Sequence, residues 1–105
     1  MKKFTGILSL FLILAFASFG QSAKEWNKQG TDHFTKMEYK QAFECFTKAI
    51  DLDAKYGEAY YNRANAWFQL PSGAYPDHNG CDDLKKAKSV GFKAAEKKLK
   101  EFGCK

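Results

Sequence analysis

Between Trp26 and Tyr56 the chain carries two apolar stripes of helical period, separated by a break about one helix turn long, and this pattern restricts the fold more than any other. Trp26, Gly30, His33, Phe34 and Met37 recur at spacings of three and four, which sets them along one side of a helix. Ala42, Phe46, Ala49, Ile50 and Asp53 keep the same phase further on, with Tyr39 and Phe43 beside them. Two amphipathic helices this close in sequence have to lie antiparallel. Small Gly30, Ala42 and Ala49 let the backbones approach while Trp26 and Phe46 fill the gaps. The stretch therefore predicts a helical hairpin, with Ser22 as the cap of its first helix, Lys36 to Glu38 as its turn and an end near Asp53 to Tyr56.

A second pass of the same pattern follows. Tyr60 comes 34 residues after Trp26, Ala64 after Gly30 and Trp67 after His33. In the partner helix, however, Gly80, Leu84 and Ala87 follow Ala42, Phe46 and Ala49 by 38, so the second unit carries four extra residues. The insertion falls in Leu70 to Gly80, which contains both prolines of the chain. Pro71 and Pro76 stop a helix near Leu70, and the next helix starts near Asn79 with Asp82 and Asp83 at the positive end of its dipole. Val90-Gly91 then breaks the chain, and Ala95, Leu99 and Phe102 form the apolar side of one last helix.

The run Trp26-Asn27-Lys28-Gln29-Gly30-Thr31-Asp32-His33, followed by Ala42, Phe46 and Ala49, resembles a tetratricopeptide repeat, whose signature is W-x2-L-G-x2-Y, then A-x3-F and a late Pro. Gln29 stands for the usual Leu, His33 for Tyr and Ala54 for Pro, while the small residues that set the closeness of packing are kept. The resemblance covers nearly all of the chain after residue 20: a repeat over 22–56, a second over 57–90 with the loop insertion 70–80, and a capping helix over 91–103. It implies an all-α fold of antiparallel hairpins stacked as a short right-handed α-solenoid. The lysines at 93, 97, 98 and 100 supply the polar outer face that a terminal element of such a stack needs.

Residues 1–20 stand apart from this pattern. Lys2 and Lys3 precede an apolar run from Ile7 to Phe19, and Ser18 and Gly20 offer a cleavage point before Gln21. This is the form of a secretory signal peptide, expected as a poorly packed helix over residues 4 to 19, and the run is shorter than the ~20 apolar residues of a membrane span. A secreted or periplasmic location follows. Of the 17 basic side chains two precede residue 21, whereas all 12 acidic ones follow it, so the mature formal charge is about +3 rather than +5.

A domain of about 85 residues has a core worth only a few kcal/mol unaided, so a staple is expected. In an oxidising compartment Cys81, at the start of one helix, and Cys104, at the end of the next antiparallel helix, are placed to meet. Pairings with Cys45 would cross intervening helices, and the remaining alternative is three separate thiols. Cys45 is expected as a small core residue.

Catalytic and metal chemistries find little support. In Asp77-His78-Asn79-Gly80-Cys81-Asp82-Asp83 the glycine is fourth rather than sixth and a cysteine takes a ligand place, unlike a calcium-binding EF-hand loop. The two histidines, His33 and His78, fall in different repeats, which argues against zinc. A Cys45–His33 nucleophile across the first hairpin is conceivable but lacks a third orienting group. The reading is of a protein without enzymatic activity, cofactor or metal, and export removes most nucleic-acid partners.

What remains is binding. The resemblance implies that the first helix of each repeat lines a concave groove for a peptide or a partner protein. Matching the repeats by 34 residues pairs Asn27 with Tyr61, Thr31 with Asn65 and Phe34 with Phe68, a stripe turned away from the Trp26 and Gly30 face, with Lys28 and Asn62 flanking it. These eight residues are the candidate groove. Phe34 and Phe68 have an alternative role in packing between neighbouring first helices. The second functional expectation is contact with anionic lipid or polysaccharide through the basic last helix, which salt would weaken.

Overall fold

The computed structural model describes residues 21–105; the signal segment expected over residues 1–20 lies outside the described residues. Those residues form α1 (Ala23–Thr35), α2 (Tyr39–Leu52), α3 (Gly57–Gln69), α4 (Gly80–Ser89) and α5 (Ala94–Glu101), with no strand among them. Each helix packs on the next, and α1 also touches α3. The chain is all-α.

Local chemistry sets most helix ends. Ser22 Oγ accepts the Glu25 N–H at 3.1 Å and opens α1, and Asn79 Oδ1 accepts the Cys81 N–H at 2.9 Å and opens α4. Three ends share one closing motif. After α1, the Glu38 N–H reaches the His33 carbonyl and the Met37 N–H the Phe34 carbonyl; after α4, Phe92 reaches Ala87 and Gly91 reaches Lys88; after α5, Cys104 reaches Leu99 and Gly103 reaches Lys100. Each of these Schellman turns needs a left-handed residue. Gly91 (φ 97°) and Gly103 (φ 64°) supply it, but after α1 the position is held by Met37 at φ 63°.

This corrects one expectation. Met37 is not part of the apolar stripe of α1: the helix ends at Thr35, the chain reverses, and the Met37 side chain stands 74 % exposed. The last helix is also shorter than 91–103, because Gly91 turns the chain and Phe92 packs against Gly57 before α5 begins. Phe102 falls just past its end, 43 % exposed, with its ring stacked on Phe68 at 3.9 Å.

Several positions matched by the 34- and 38-residue offsets are buried alike. Gly30 and Ala64 are buried, Ala49 and Ala87 fully so, and Phe46 and Leu84 are the largest fully buried side chains. A methyl group at Gly30 would come within 2.4 Å of the Phe46 ring, so the closeness of α1 and α2 depends on that glycine. Burying a side chain such as Phe46 is worth about 2–3 kcal/mol. One apolar cluster joins α2, α3, α4 and α5 through Ile50, Tyr60, Ala64, Leu84 and Ala95; a smaller one joins Ala42, Phe43, Phe46 and Ala66. Cys81 and Cys104 form a disulfide with Cα atoms 5.6 Å apart, tying the end of α5 to the start of α4, while Cys45 is free and buried.

Candidate functional site

The eight groove candidates lie on α1 and α3, the two helices that touch side by side, but several are used internally. Asn27 is only 5 % exposed, and its Oδ1 accepts the Asn62 side-chain N–H at 3.0 Å, so these two amides lock α1 to α3. Thr31 donates its hydroxyl to the Lys28 carbonyl within its own helix at 2.7 Å. Phe34 meets Tyr39 edge-on at 5.2 Å, Tyr61 leans on Phe92 at 5.0 Å, and Phe68 stacks on Phe102. Lys28 is exposed and Asn65 half-buried. Phe68 packs from α3 onto Phe102 beyond the end of α5, whereas Phe34 packs onto Tyr39 of α2, its own hairpin partner. Beside the amide lock, burial first and the Glu58 carboxylate second push the Tyr56 phenol above its ordinary value.

The structure also assembles a polar cluster that the sequence did not reveal. Arg63 of α3 donates from Nε and Nη2 to the two carboxylate oxygens of Asp83 of α4, at 2.9 and 2.7 Å, and from Nη1 to Thr47 Oγ1 of α2 at 3.3 Å. His78 Nε2 lies 2.6 Å from the same carboxylate. Asp83 is 3 % exposed, so it is less a helix-dipole group than the counter-charge of a half-buried guanidinium. The loop closes over this cluster. Tyr75 stacks on Phe43 with ring centroids 4.0 Å apart, and His78 meets Phe43 edge-on at 4.9 Å. Burial, and then Glu44, push the Tyr75 phenol up. Between α2, α3 and the loop lies a cavity of about 330 Å³, broadly open to solvent and lined by Phe43, Thr47, Arg63 and residues 75–78. One signal was available: Arg63 follows Gln29 by 34 residues, where the repeat signature asks for Leu, and a cation on an inward face needs a buried partner.

Other chemistry is less well placed. His33 Nδ1 pairs with Glu38 Oε1 at 3.0 Å, and burial pushes the Cys45 thiol up, away from the reactive thiolate. Among the described residues no group of three or more His, Cys, Asp or Glu is placed to hold a metal ion, and no helix is long and apolar enough to cross a membrane. A second cavity of about 330 Å³, between α4 and α5, is lined by Lys85, Lys88, Lys100 and Lys105 with Glu96, Leu99 and Cys104. Compared with known proteins, the chain matches no family model and no curated protein.

Proposed function

We propose that this chain is an exported, non-enzymatic binding module of the tetratricopeptide kind, which presents the joined faces of α1 and α3 to a peptide or partner protein. The observation that carries the reading is the Asn62–Asn27 bond, which fixes two neighbouring helices to each other before any ligand arrives. A face that is already ordered loses little entropy on binding. Lys28, Thr31, Tyr61 and Asn65 are the exposed and half-exposed groups on that face. An amide such as Asn65 can hold a peptide backbone, and Lys28 a carboxylate. Export is supported by the Cys81–Cys104 disulfide, which persists in oxidising compartments. The test is selection of binders from a displayed random-peptide library with residues 21–105. Selected peptides should lose affinity for the Lys28→Ala/Asn65→Ala variant; equal binding to that variant would overturn the reading.

A second reading, in which anionic lipid or polysaccharide is held at the basic end, is favoured by the cavity between α4 and α5. Its four lysines face one glutamate, a surplus equal to the formal charge of about +3 of the whole chain after residue 20. Binding there should weaken steeply as salt rises.

A further inference from the structure

We infer that the cavity under the 70–79 segment is a binding site for a neutral sugar ring, a pyranose whose substituents are mostly equatorial. The first ground is where the extra residues go. The first hairpin closes through residues 36–38, so its repeat geometry needs no long connection, yet the second hairpin uses residues 70–79. Part of that excess, residues 75–78, forms one wall of the cavity.

The second ground is unused hydrogen-bonding capacity. A guanidinium has five N–H donors, and three of those of Arg63 are occupied by Asp83 and Thr47, which leaves two on a group that lines the cavity. Because a carboxylate only accepts, His78 gives its Nε2 hydrogen to Asp83, and Nδ1 remains as an acceptor in the neutral ring. The Asp77 carboxylate at the rim adds acceptors. Donors and acceptors on one small wall suit hydroxyl groups, each of which does both.

Charge then narrows the class. Arg63 is matched by Asp83, so an anion would meet the uncompensated Asp77, with Glu44 close behind at 3.4 Å from the Tyr75 hydroxyl. A cationic group such as an ammonium carries donors only and would leave the two free Arg63 N–H groups without an acceptor. Shape narrows it further, since Tyr75, whose ring stacks on Phe43, lines the cavity. The face of an aromatic ring is electron-rich, and an equatorially substituted pyranose presents a flat face of axial C–H bonds to it. Buried ion pairs seldom stabilise a fold more than apolar residues of the same size, so although the Arg63–Asp83 pair holds α3 to α4 once it is there, the fold alone does not call for a charged cluster at this wall.

Trp67 lies 6.3 Å from His78, ring to ring, and reports on the site. In a Trp26→Phe background, which leaves Trp67 as the single tryptophan, cellotetraose and chitotetraose should each change the emission saturably. Tetragalacturonate and the glucosamine tetramer, of opposite charges, should not. Tyr75→Ala should weaken the neutral tetramers about tenfold or more. Asp77→Ala, at an exposed loop residue, should weaken them several-fold with the helical circular dichroism unchanged. Lys28→Ala/Asn65→Ala should leave them as they were, which separates this site from the α1–α3 face. The proposal is overturned if neither neutral tetramer binds up to about 10 mM, if a charged tetramer binds better, or if the Asp77 variant binds as wild type does.

Discussion

The two hairpins bury equivalent residues by different means. In the first, α1 and α2 are joined by residues 36–38 and held by apolar contact at a tight crossing, Gly30 under Phe46, with the exposed-side pair His33–Glu38 beside the turn. In the second, α3 and α4 are separated by residues 70–79, share a half-buried Arg63–Asp83–His78 cluster around the buried Asp83, and are followed by a helix tied back through Cys81–Cys104. The longer loop is not the reason for this reinforcement. Each doubling of loop length costs only about 0.6 kcal/mol, so the difference between the two connections is on the order of 1 kcal/mol. The disulfide instead holds α5, whose one buried residue is Ala95 and whose apolar edge is completed by Leu99 and by Phe102 beyond its end. Short helices with so little burial are marginal alone. The first hairpin thus depends on packing and the second on charge pairing and a covalent tie.

The strongest way to break this contrast is at the buried charge. Asp83→Ala leaves Arg63 enclosed without a counter-charge and should cost about 3–5 kcal/mol in urea unfolding followed by circular dichroism. Replacing both, as Arg63→Met/Asp83→Leu, should recover most of that loss. If the single change costs under about 1 kcal/mol, the second hairpin is held by packing as the first is.

Next in size is the covalent tie. Cys81→Ser/Cys104→Ser removes a cross-link whose cysteines are 23 residues apart and should cost about 3 kcal/mol, with α5 losing amide-exchange protection before α1 and α2. Uniform loss of protection across all five helices would contradict the division of roles.

At the tight crossing, Gly30→Ala gains about 1 kcal/mol of helix propensity but drives a methyl group into a fully buried ring, which costs about 1–3 kcal/mol. A net loss of about 1 kcal/mol in the same urea assay is expected. Phe46→Leu in that background should return part of it.

The smallest structural effect sharpens the comparison of the turns. Gly91 and Gly103 occupy the left-handed position that Met37 occupies after α1. Met37→Gly should therefore stabilise the protein by about 0.5–1 kcal/mol, measured by thermal unfolding.

The pH dependence has a definite sign. Cys45, Tyr56 and Tyr75 all have pKa values raised in the folded protein, chiefly by burial. Their neutral forms prevail in both states below the ordinary values of 9.0 for the thiol and 10.0 for the phenols, so stability is undiminished there. As pH rises past those values the unfolded chain loses protons first, and stability should fall through the folded pKa values. Cys45→Ala should remove the part of this loss that starts near the thiol value.

Much of the fold was legible in the sequence because its determinants are local. The Ser22 cap, the helix start near Asn79, the reversal at Lys36 to Glu38, the proline-bounded loop and the Val90-Gly91 break all act within a few residues of themselves. The Cys81–Cys104 bridge was legible as well, since antiparallel neighbouring helices bring those two ends together. Tertiary structure alone decided the rest. Asp83 has the sequence signature of a helix-start acid, and only the approach of α3 makes it the partner of Arg63, 20 residues away. Tyr75 and Phe43 stack across 32 positions of sequence, and Asn27 meets Asn62 across 35, so the same polar stripe that suggested an open groove became in part an internal lock. Helical periodicity fixes which face a side chain occupies, but whether that face meets solvent or another helix depends on distances that no local rule contains.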